Sequence, residues 1–142
     1  MSSAEASTCL TASMVTKQTT VLVVEDQKLV NWSLVTSLAK WGFAAHPVFT
    51  GCDAVKEFQK CGFDVVLLDY QLPDLDGLAV ARQIRRLQPD AVIVLLTSFQ
   101  LNELPLDRGL INYYFNKPLD LEQLRRDLKR ISKKQELENT PP

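Results

Sequence analysis

The amino-acid sequence predicts a doubly wound α/β domain, in which helices cover both faces of a five-stranded parallel sheet. Three unbroken apolar runs, at residues 21–24, 65–68 and 91–96, have the length of strands buried on both faces. Shorter strands are predicted at 43–48 and 112–115, and apolar residues recur at helical spacing between the strands. Strands that alternate with helices favour a parallel sheet, because right-handed crossovers place helices on both faces.

Helix boundaries are indicated by residues that begin or end helices. Thr50, Asp76 and Asp120 can accept hydrogen bonds from the free amides of a first helical turn, and Gln123 follows Asp120 as in a capping box. Gly42 should end the first helix. The apolar helix positions expected to face the core are Val30, Leu34, Leu38, Trp41, Ala54, Val55, Phe58, Leu78, Ala81, Ile84, Leu87, Leu121, Leu124, Leu128 and Ile131.

Composition and charge narrow the class of protein. The 142 residues are 46% hydrophobic, and a formal net charge of −1 gives no reason to expect direct nucleic-acid binding by this domain. No apolar run reaches the ~20 residues of a membrane span, and three cysteines without paired spacing fit a reducing compartment. We therefore expect a cytoplasmic protein with no membrane contact. One domain at 20–132 should lie between a flexible leader at 1–19 and a polar tail or start of a linker at 133–142.

Polar residues follow the predicted strands at the edge where parallel strands end. Glu25 and Asp26 follow the first strand, Asp69 follows the third, Thr97 follows the fourth and Lys117 follows the fifth. Ligands bind outside the carboxyl ends of the strands in such sheets, so these groups should converge on one pocket. Clustered carboxylates repel one another unless a cation joins them, and an all-oxygen set suits Mg²⁺. A lysine and a hydroxyl beside that ion suit the oxygens of a phosphoryl group.

These residues occur in an order that resembles the receiver domains of bacterial response regulators. The resemblance covers about residues 20–132 and implies the flavodoxin-like strand order 2-1-3-4-5. It is carried by Val21-Leu-Val-Val-Glu-Asp26, Asp69-Tyr-Gln-Leu-Pro-Asp-Leu-Asp-Gly77, Thr97-Ser98 and Lys117-Pro118.

The resemblance implies a phosphorylation switch rather than an enzyme. Asp69 would accept a phosphoryl group from the phosphohistidine of a sensor histidine kinase or a histidine phosphotransfer protein. Glu25, Asp26, Asp69 and the backbone carbonyl of Gln71 would hold the Mg²⁺ cofactor.

The same resemblance assigns the response to phosphorylation. Lys117 and the Thr97 hydroxyl would bind phosphoryl oxygens, and Tyr114 would turn inward when Thr97 moves. The surface around the fourth and fifth strands would change, and a homodimer is a possible result.

The segment between Thr97 and Lys117 departs from the family pattern. It is about two residues shorter than the family leads us to expect, and it contains Pro105, which removes a backbone donor from any helix there. The fourth helix should therefore be short, irregular or absent. Phe99 and Gln71 flank the expected path of an attacking water, and the bulk of Phe99 predicts a long-lived acyl phosphate.

Simpler interpretations of single residues stay open beside these roles. Glu25 and Asp26 could be an acidic pair at a helix start, and Tyr114 could be a packing residue. Trp32 should be exposed, because it points about 200° away from Val30 on the first helix, and it could anchor a partner. We interpret three further residues as turn and helix-cap residues rather than as ligands: Asp74, Asp76 and Gly77.

Three other functions compete with the switch. A pseudo-receiver would keep the fold as an interaction module without phosphorylation. A small Mg²⁺-dependent phosphohydrolase would use Asp69 as nucleophile, but Gln71 stands where such enzymes place a second aspartate. A flavodoxin-like nucleotide binder would need a phosphate loop after the first strand, where Glu25 and Asp26 would repel phosphate.

Overall fold

The structure, a computed structural model, describes residues 18–104 and 109–139. Residues 1–17, and with them most of the predicted leader, lie outside the described part of the chain. The elements are β1 (Thr20–Val24), α1 (Lys28–Lys40), β2 (Ala44–Val48), α2 (Gly51–Cys61), β3 (Val65–Asp69), α3 (Gly77–Leu87), β4 (Val92–Thr97), a 3₁₀ helix (Leu101–Glu103), β5 (Tyr113–Asn116) and α4 (Leu121–Asn139).

The five strands form one parallel sheet in the order β2-β1-β3-β4-β5. This confirms the predicted fold class and strand order, and each predicted strand boundary lies within one residue of the observed one. The three central strands are apolar except at Thr20, Asp69 and Thr97, which are terminal residues, because helices bury both of their faces.

Alternate residues of these strands supply two separate cores. On one face, Leu22, Leu68 and Leu95 pack with α2 and α3 through residues such as Phe58 and Ile84. The opposite face packs with α1 and α4, and its buried members include Val21, Val23, Leu34, Leu38, Val65, Leu67, Leu96, Leu124, Leu128 and Ile131. The helices therefore lie on both faces of the sheet, as the strand and helix alternation predicts.

The strand register brings the carboxyl ends of four strands to the same edge of the sheet. Val24 pairs with Leu68, and one residue later Asp69 pairs with Leu96. Thr97 in turn pairs with Asn116. The residues that follow β1, β3, β4 and β5 therefore meet at one edge.

The predicted helix starts are confirmed. Thr50, Asp76 and Asp120 each accept a hydrogen bond from the backbone N–H three residues ahead, at 3.1, 2.8 and 3.2 Å. The Gln123 side chain donates to Asp127 at 3.0 Å instead of reaching back to Asp120. Of the two hydrogen bonds of the predicted capping box, the one to the Asp120 side chain therefore forms and the one from the Gln123 side chain does not.

Three predicted core positions are wrong. Val30, Leu87 and Leu121 are exposed, although the helical spacing places them on apolar stripes. Each lies in the first or last turn of its helix, and a periodic pattern does not show which turns a neighbouring element covers. In α1 the buried stripe begins at Asn31 rather than at Val30.

Two segments near the end of the chain bear on further predictions. The described residues between β4 and β5 form only a single 3₁₀ turn, as the prediction of a short or irregular fourth helix requires. Pro105 itself falls in residues 105–108, outside the described residues.

Helix α4 continues to Asn139, past the predicted end of the domain at 132, because strong helix formers follow without Gly or Pro. None of the helices at residues 18–104 and 109–139 has the length and apolarity to span a membrane.

Candidate functional site

Glu25, the first residue after β1, is only 1% exposed. Its backbone N–H donates to the Val48 carbonyl at 3.2 Å, and its own carbonyl accepts from the Asn31 amide at 3.0 Å. Among the described residues its Oε2 has no hydrogen-bond partner. A buried carboxylate oxygen without a donor is costly, so this atom is suited to a cation.

Asp69, the last residue of β3, is 5% exposed. Its Oδ2 accepts from Lys117 Nζ at 3.1 Å, and its Oδ1 accepts from the Gln71 backbone N–H at 3.3 Å. Behind it, a Cβ at Gly77 would lie 2.7 Å from the Asp69 carbonyl oxygen and 2.8 Å from Tyr70 Cα. The start of α3 can approach the end of β3 this closely only because residue 77 is glycine.

Three carboxylates meet at this edge of the sheet. Glu25, Asp26 and Asp69 each present one oxygen, and these atoms all lie within 4.8 Å of one another. Glu25 and Asp69 are buried, whereas Asp26 is exposed and opens the group to solvent. Three oxygen ligands on one side, with the other side open to water, fit Mg²⁺, which usually keeps several waters.

Lys117 only partly balances this negative charge. Its Nζ lies 3.6 Å from Glu25 Oε2 and 3.1 Å from Asp69 Oδ2. Burial, a hydrogen bond with Asp69 and repulsion from the Asp69 charge together raise the pKa of Glu25 to about 8, although Lys117 acts to lower it. The protein without a cation therefore favours a protonated Glu25, and a divalent cation would favour its ionised form.

Thr97 and Lys117 stand at the ends of neighbouring strands. The Thr97 side chain is buried, and its hydroxyl oxygen accepts from the Phe99 backbone N–H at 3.0 Å. The Asn116 amide donates to the Phe99 carbonyl at 2.7 Å, and the Lys117 N–H donates to the Thr97 carbonyl at 2.8 Å. The loop after β4 is therefore tied to the end of β5.

Three aromatic side chains lie on the face of the sheet that carries Thr97. Tyr114 pairs with Leu95, two residues before Thr97, so strand alternation places Tyr114 and Thr97 on the same face. Tyr70 and Phe99 meet edge to face at 5.6 Å between ring centroids. All three rings are partly buried against the first core.

Comparison with known protein families identifies the family to which this fold and site belong. The profile of the response regulator receiver domain matches residues 21–129. This chain belongs to that family.

Relatives of the receiver domain agree with this assignment. The chain is 30% identical over 113 residues to the transcriptional regulatory protein ZraR of Salmonella typhimurium, covering 78% of this chain and 25% of ZraR. The CheY-like receiver domain from Methylobacillus flagellatus is 31% identical, with a TM-score of 0.72 over 80% of this chain and 98% of that one.

A second solved structure is relevant to the site. Response regulator protein TrrA from Thermotoga maritima, solved in complex with Mg²⁺-BeF, is 29% identical, with a TM-score of 0.73 over 80% of this chain and 99% of that chain. The receiver domain described here spans only a quarter of the length of ZraR, so the similarity to ZraR concerns the receiver portion alone.

The structure of the receiver domain also contains site contacts that the sequence does not predict. Asn31 is buried beneath Glu25, and the available signal is its helical spacing with Leu34 and Leu38 on an otherwise apolar stripe. The amide of Asn116 is a second such contact, and nothing in its sequence position distinguishes it from a loop residue.

Asp74 links the loop after β3 to the start of α2 and is not a member of the carboxylate group. Its two oxygens accept from the backbone N–H groups of Gly51 and Cys52, at 2.9 and 2.8 Å. Burial opposes ionisation, but these backbone hydrogen bonds outweigh it and lower the pKa of Asp74 to about 2. Asp74 thereby holds the loop after β3 against the start of α2, in keeping with its interpretation as a turn and cap residue.

Proposed function

We propose that this receiver domain is a phosphorylation switch in which Asp69 accepts a phosphoryl group from a histidine kinase or a histidine phosphotransfer protein. The observation that carries the proposal is the meeting of the Asp69 carboxylate with Glu25, Asp26 and Lys117 at the carboxyl end of the sheet. Two further carboxylates serve a phosphate acceptor only if a cation joins them.

The chemistry follows from the residues around Asp69. One Asp69 carboxylate oxygen attacks phosphorus while the bond from phosphorus to the donor imidazole nitrogen breaks, and that nitrogen keeps the electron pair. Glu25, Asp26, Asp69 and the Gln71 backbone carbonyl would hold Mg²⁺. When bound, the ion neutralises the charge of the incoming phosphoryl group and orients it for in-line attack. The Mg²⁺-BeF complex of TrrA supports this arrangement.

Lys117, Thr97 and Tyr114 serve the response. The Lys117 ammonium already lies 3.1 Å from Asp69 and is placed to bind an oxygen of the phosphoryl group. The Thr97 hydroxyl would exchange its contact with Phe99 for a hydrogen bond to the phosphoryl group. Tyr114 on the same face would then move into the space that Thr97 leaves, which changes the surface around β4 and β5.

The decisive experiment measures the mass of the protein after incubation with a small acyl phosphate and Mg²⁺. We expect a gain of one phosphoryl group in the wild type, no gain in Asp69→Asn and no gain when EDTA replaces Mg²⁺. Asp76→Asn is the matched control, because this aspartate caps α3 and should leave the gain intact.

The competing functions give different results in the same experiment. A folded wild type that gains no mass would support the pseudo-receiver. Repeated turnover of phosphate esters would support the phosphohydrolase, although the Gln71 amide cannot act as the general acid that such an enzyme needs.

Exposed apolar side chains beside the site support a docking surface for the phosphoryl donor. Leu29 and Trp32 lie one helical turn apart on α1 and are 82% and 68% exposed, which confirms the predicted exposure of Trp32. An exposed tryptophan on the helix that follows Asp26 is a suitable anchor for a protein that must bring its phosphohistidine to Asp69.

Trp32→Ala tests this surface. We expect slower phosphotransfer from a kinase or phosphotransfer domain, and an unchanged rate from a small acyl phosphate. Leu87→Ala removes another exposed apolar side chain, on α3, and should change neither rate. Equal rates from the protein donor for wild type and Trp32→Ala would exclude Trp32 as the anchor.

A further inference from the structure

Asn31 is a fully buried amide within an apolar helix face. It lies in the first turn of α1, is 0% exposed and shares its buried face with Leu34 and Leu38. Its Oδ1 is buried and has no hydrogen-bond partner among the described residues. An unpaired buried acceptor is unfavourable, so the presence of an amide here must be explained by the hydrogen bonds that its Nδ2 donates, which an apolar side chain could not make.

The donor half of Asn31 serves the backbone around Glu25. Its Nδ2 donates to the carbonyl oxygens of Val48, Glu25 and Val23, at 2.8, 3.0 and 3.3 Å. The Val48 carbonyl also accepts from the Glu25 N–H at 3.2 Å. Both backbone groups of Glu25 are therefore fixed, one by the end of β2 and the other by Asn31.

This contact fixes the segment that carries two of the three carboxylates. Glu25 and Asp26 lie between β1 and α1, and Gln27, the N-cap residue of α1, makes no side-chain capping hydrogen bond. Rotation of the peptide after Glu25 would move the carboxylates of both acidic residues relative to Asp69. Asn31 opposes this rotation because it holds the carbonyl of that same peptide.

We propose that Asn31 is a positioning residue of the metal site, which holds Glu25 and Asp26 at the spacing from Asp69 that Mg²⁺ requires. The inference rests on the proposed function, since it presumes that the carboxylates bind Mg²⁺. Residues that orient metal ligands typically change metal affinity by about 10-fold to 100-fold when they are replaced. Asn31 never contacts the ion in this scheme and acts only through Glu25 and Asp26.

The test compares Mg²⁺ affinity in variants of the full chain, measured by titration calorimetry at neutral pH. We expect Asn31→Ala to raise the Mg²⁺ dissociation constant about 10-fold. Asn31→Ser keeps one donor and should give an intermediate value, and it decides the question if Asn31→Ala does not fold. Leu34→Ala is the matched control, because it truncates a core side chain on the same face of α1 and should bind Mg²⁺ as the wild type does.

A second measurement separates positioning from simple stabilisation of the fold. The thermal midpoint is recorded in EDTA and in saturating Mg²⁺ for each variant. Leu34→Ala should lower both midpoints and keep the wild-type difference between them. Asn31→Ala should also reduce that difference.

Three results would overturn the inference, and they have different meanings. Wild-type Mg²⁺ affinity in a folded Asn31 variant would remove the positioning role alone. Equal weakening in Leu34→Ala would show that metal affinity follows general stability. A wild type that binds no Mg²⁺ would overturn the metal site of the proposed function and this inference with it.

Discussion

The two halves of the site are built differently. On the β1 and β3 side, Glu25 and Asp69 are buried. Backbone hydrogen bonds to neighbouring strands hold these two residues, and the Asn31 amide holds the Glu25 carbonyl as well. On the β4 and β5 side, Thr97 is buried, but the loop that follows it is held by the Asn116 side chain and by the Phe99 ring.

The difference indicates a division of labour between the two halves. Moving Glu25 or Asp69 would break strand pairing and expose core residues, so the metal side should keep one geometry. The loop after Thr97 is held by side-chain contacts of the Thr97 hydroxyl, the Asn116 amide and the Phe99 ring, each worth about 1 kcal/mol, which the binding of one phosphoryl group would replace in the proposed switch. A switch needs both properties, because binding requires a preorganised site and signalling requires contacts that are easily exchanged.

The largest expected effect is on the metal side, at Gly77. A Cβ there would press on the Asp69 and Tyr70 backbone, so Gly77→Ala should cost about 3 kcal/mol or more in free energy of unfolding. Chemical denaturation measures this cost. Gly42→Ala is the comparison, since it strains a turn at φ 94° with no such backbone contact and should cost only about 1 kcal/mol. Equal costs would show that the metal side is not the more rigid half.

The next largest effect is a pH dependence of the free energy of unfolding, which Mg²⁺ should remove. The pKa of Glu25 is raised from 4.5 to about 8, so in EDTA the folded state holds a proton that the unfolded state releases above pH 4.5. The free energy of unfolding should therefore fall as pH rises through this window, because the unfolded state releases this proton before the folded state does. Saturating Mg²⁺ favours the ionised carboxylate, so the stabilisation that it provides should grow with pH.

Glu25→Gln is the control for this pH dependence. The variant has no proton to lose at this position, so its stability in EDTA should change less between pH 5 and pH 8. A wild-type pH profile in EDTA that matches that of Glu25→Gln would contradict the raised pKa of Glu25.

A smaller effect is expected on the opposite side, at Phe99. Phe99→Ala removes the edge contact with Tyr70 and should cost about 1 kcal/mol in stability. It also opens the path of water to the acyl phosphate, so loss of the phosphoryl group should become several-fold faster. Radiolabelled protein shows this directly, and a wild type that loses phosphate rapidly, at a rate that Phe99→Ala does not raise, would contradict the steric role.

The smallest effect is expected at Asn116. Asn116→Ala removes the amide that holds the Phe99 carbonyl, at a cost of about 0.5 to 1 kcal/mol. A looser loop lets Thr97 turn toward the phosphoryl position more easily, so beryllofluoride should bind a few-fold tighter while Mg²⁺ affinity stays unchanged. Asn102→Ala, an exposed asparagine in the same connection, is the control. Beryllofluoride affinity that does not change in Asn116→Ala would show that this loop does not limit the switch.

Much of the fold was predictable because it depends on local patterns. Apolar runs define the buried strands, and single side chains such as Thr50 and Asp76 define the helix starts. The errors concern buried helix positions, because a helical pattern of apolar residues does not show which other elements pack against the helix. Val30 and Asn31 both fit a helical stripe, and only the position of the sheet decides that the amide is the buried one.

The sequence by itself determined which chemical groups the site contains, since Glu25, Asp26, Asp69 and Lys117 each stand just after or at the end of a strand. Their type and order predict an oxygen-ligated cation beside a phosphate acceptor. Only the tertiary structure decided how these groups are held. The 4.8 Å grouping of the carboxylates and the burial that raises the pKa of Glu25 depend on segments far apart in the chain, and the hydrogen bond from Asn31 to the Val48 carbonyl joins α1 to the end of β2. Such contacts depend on strand register and helix packing, which no local pattern encodes.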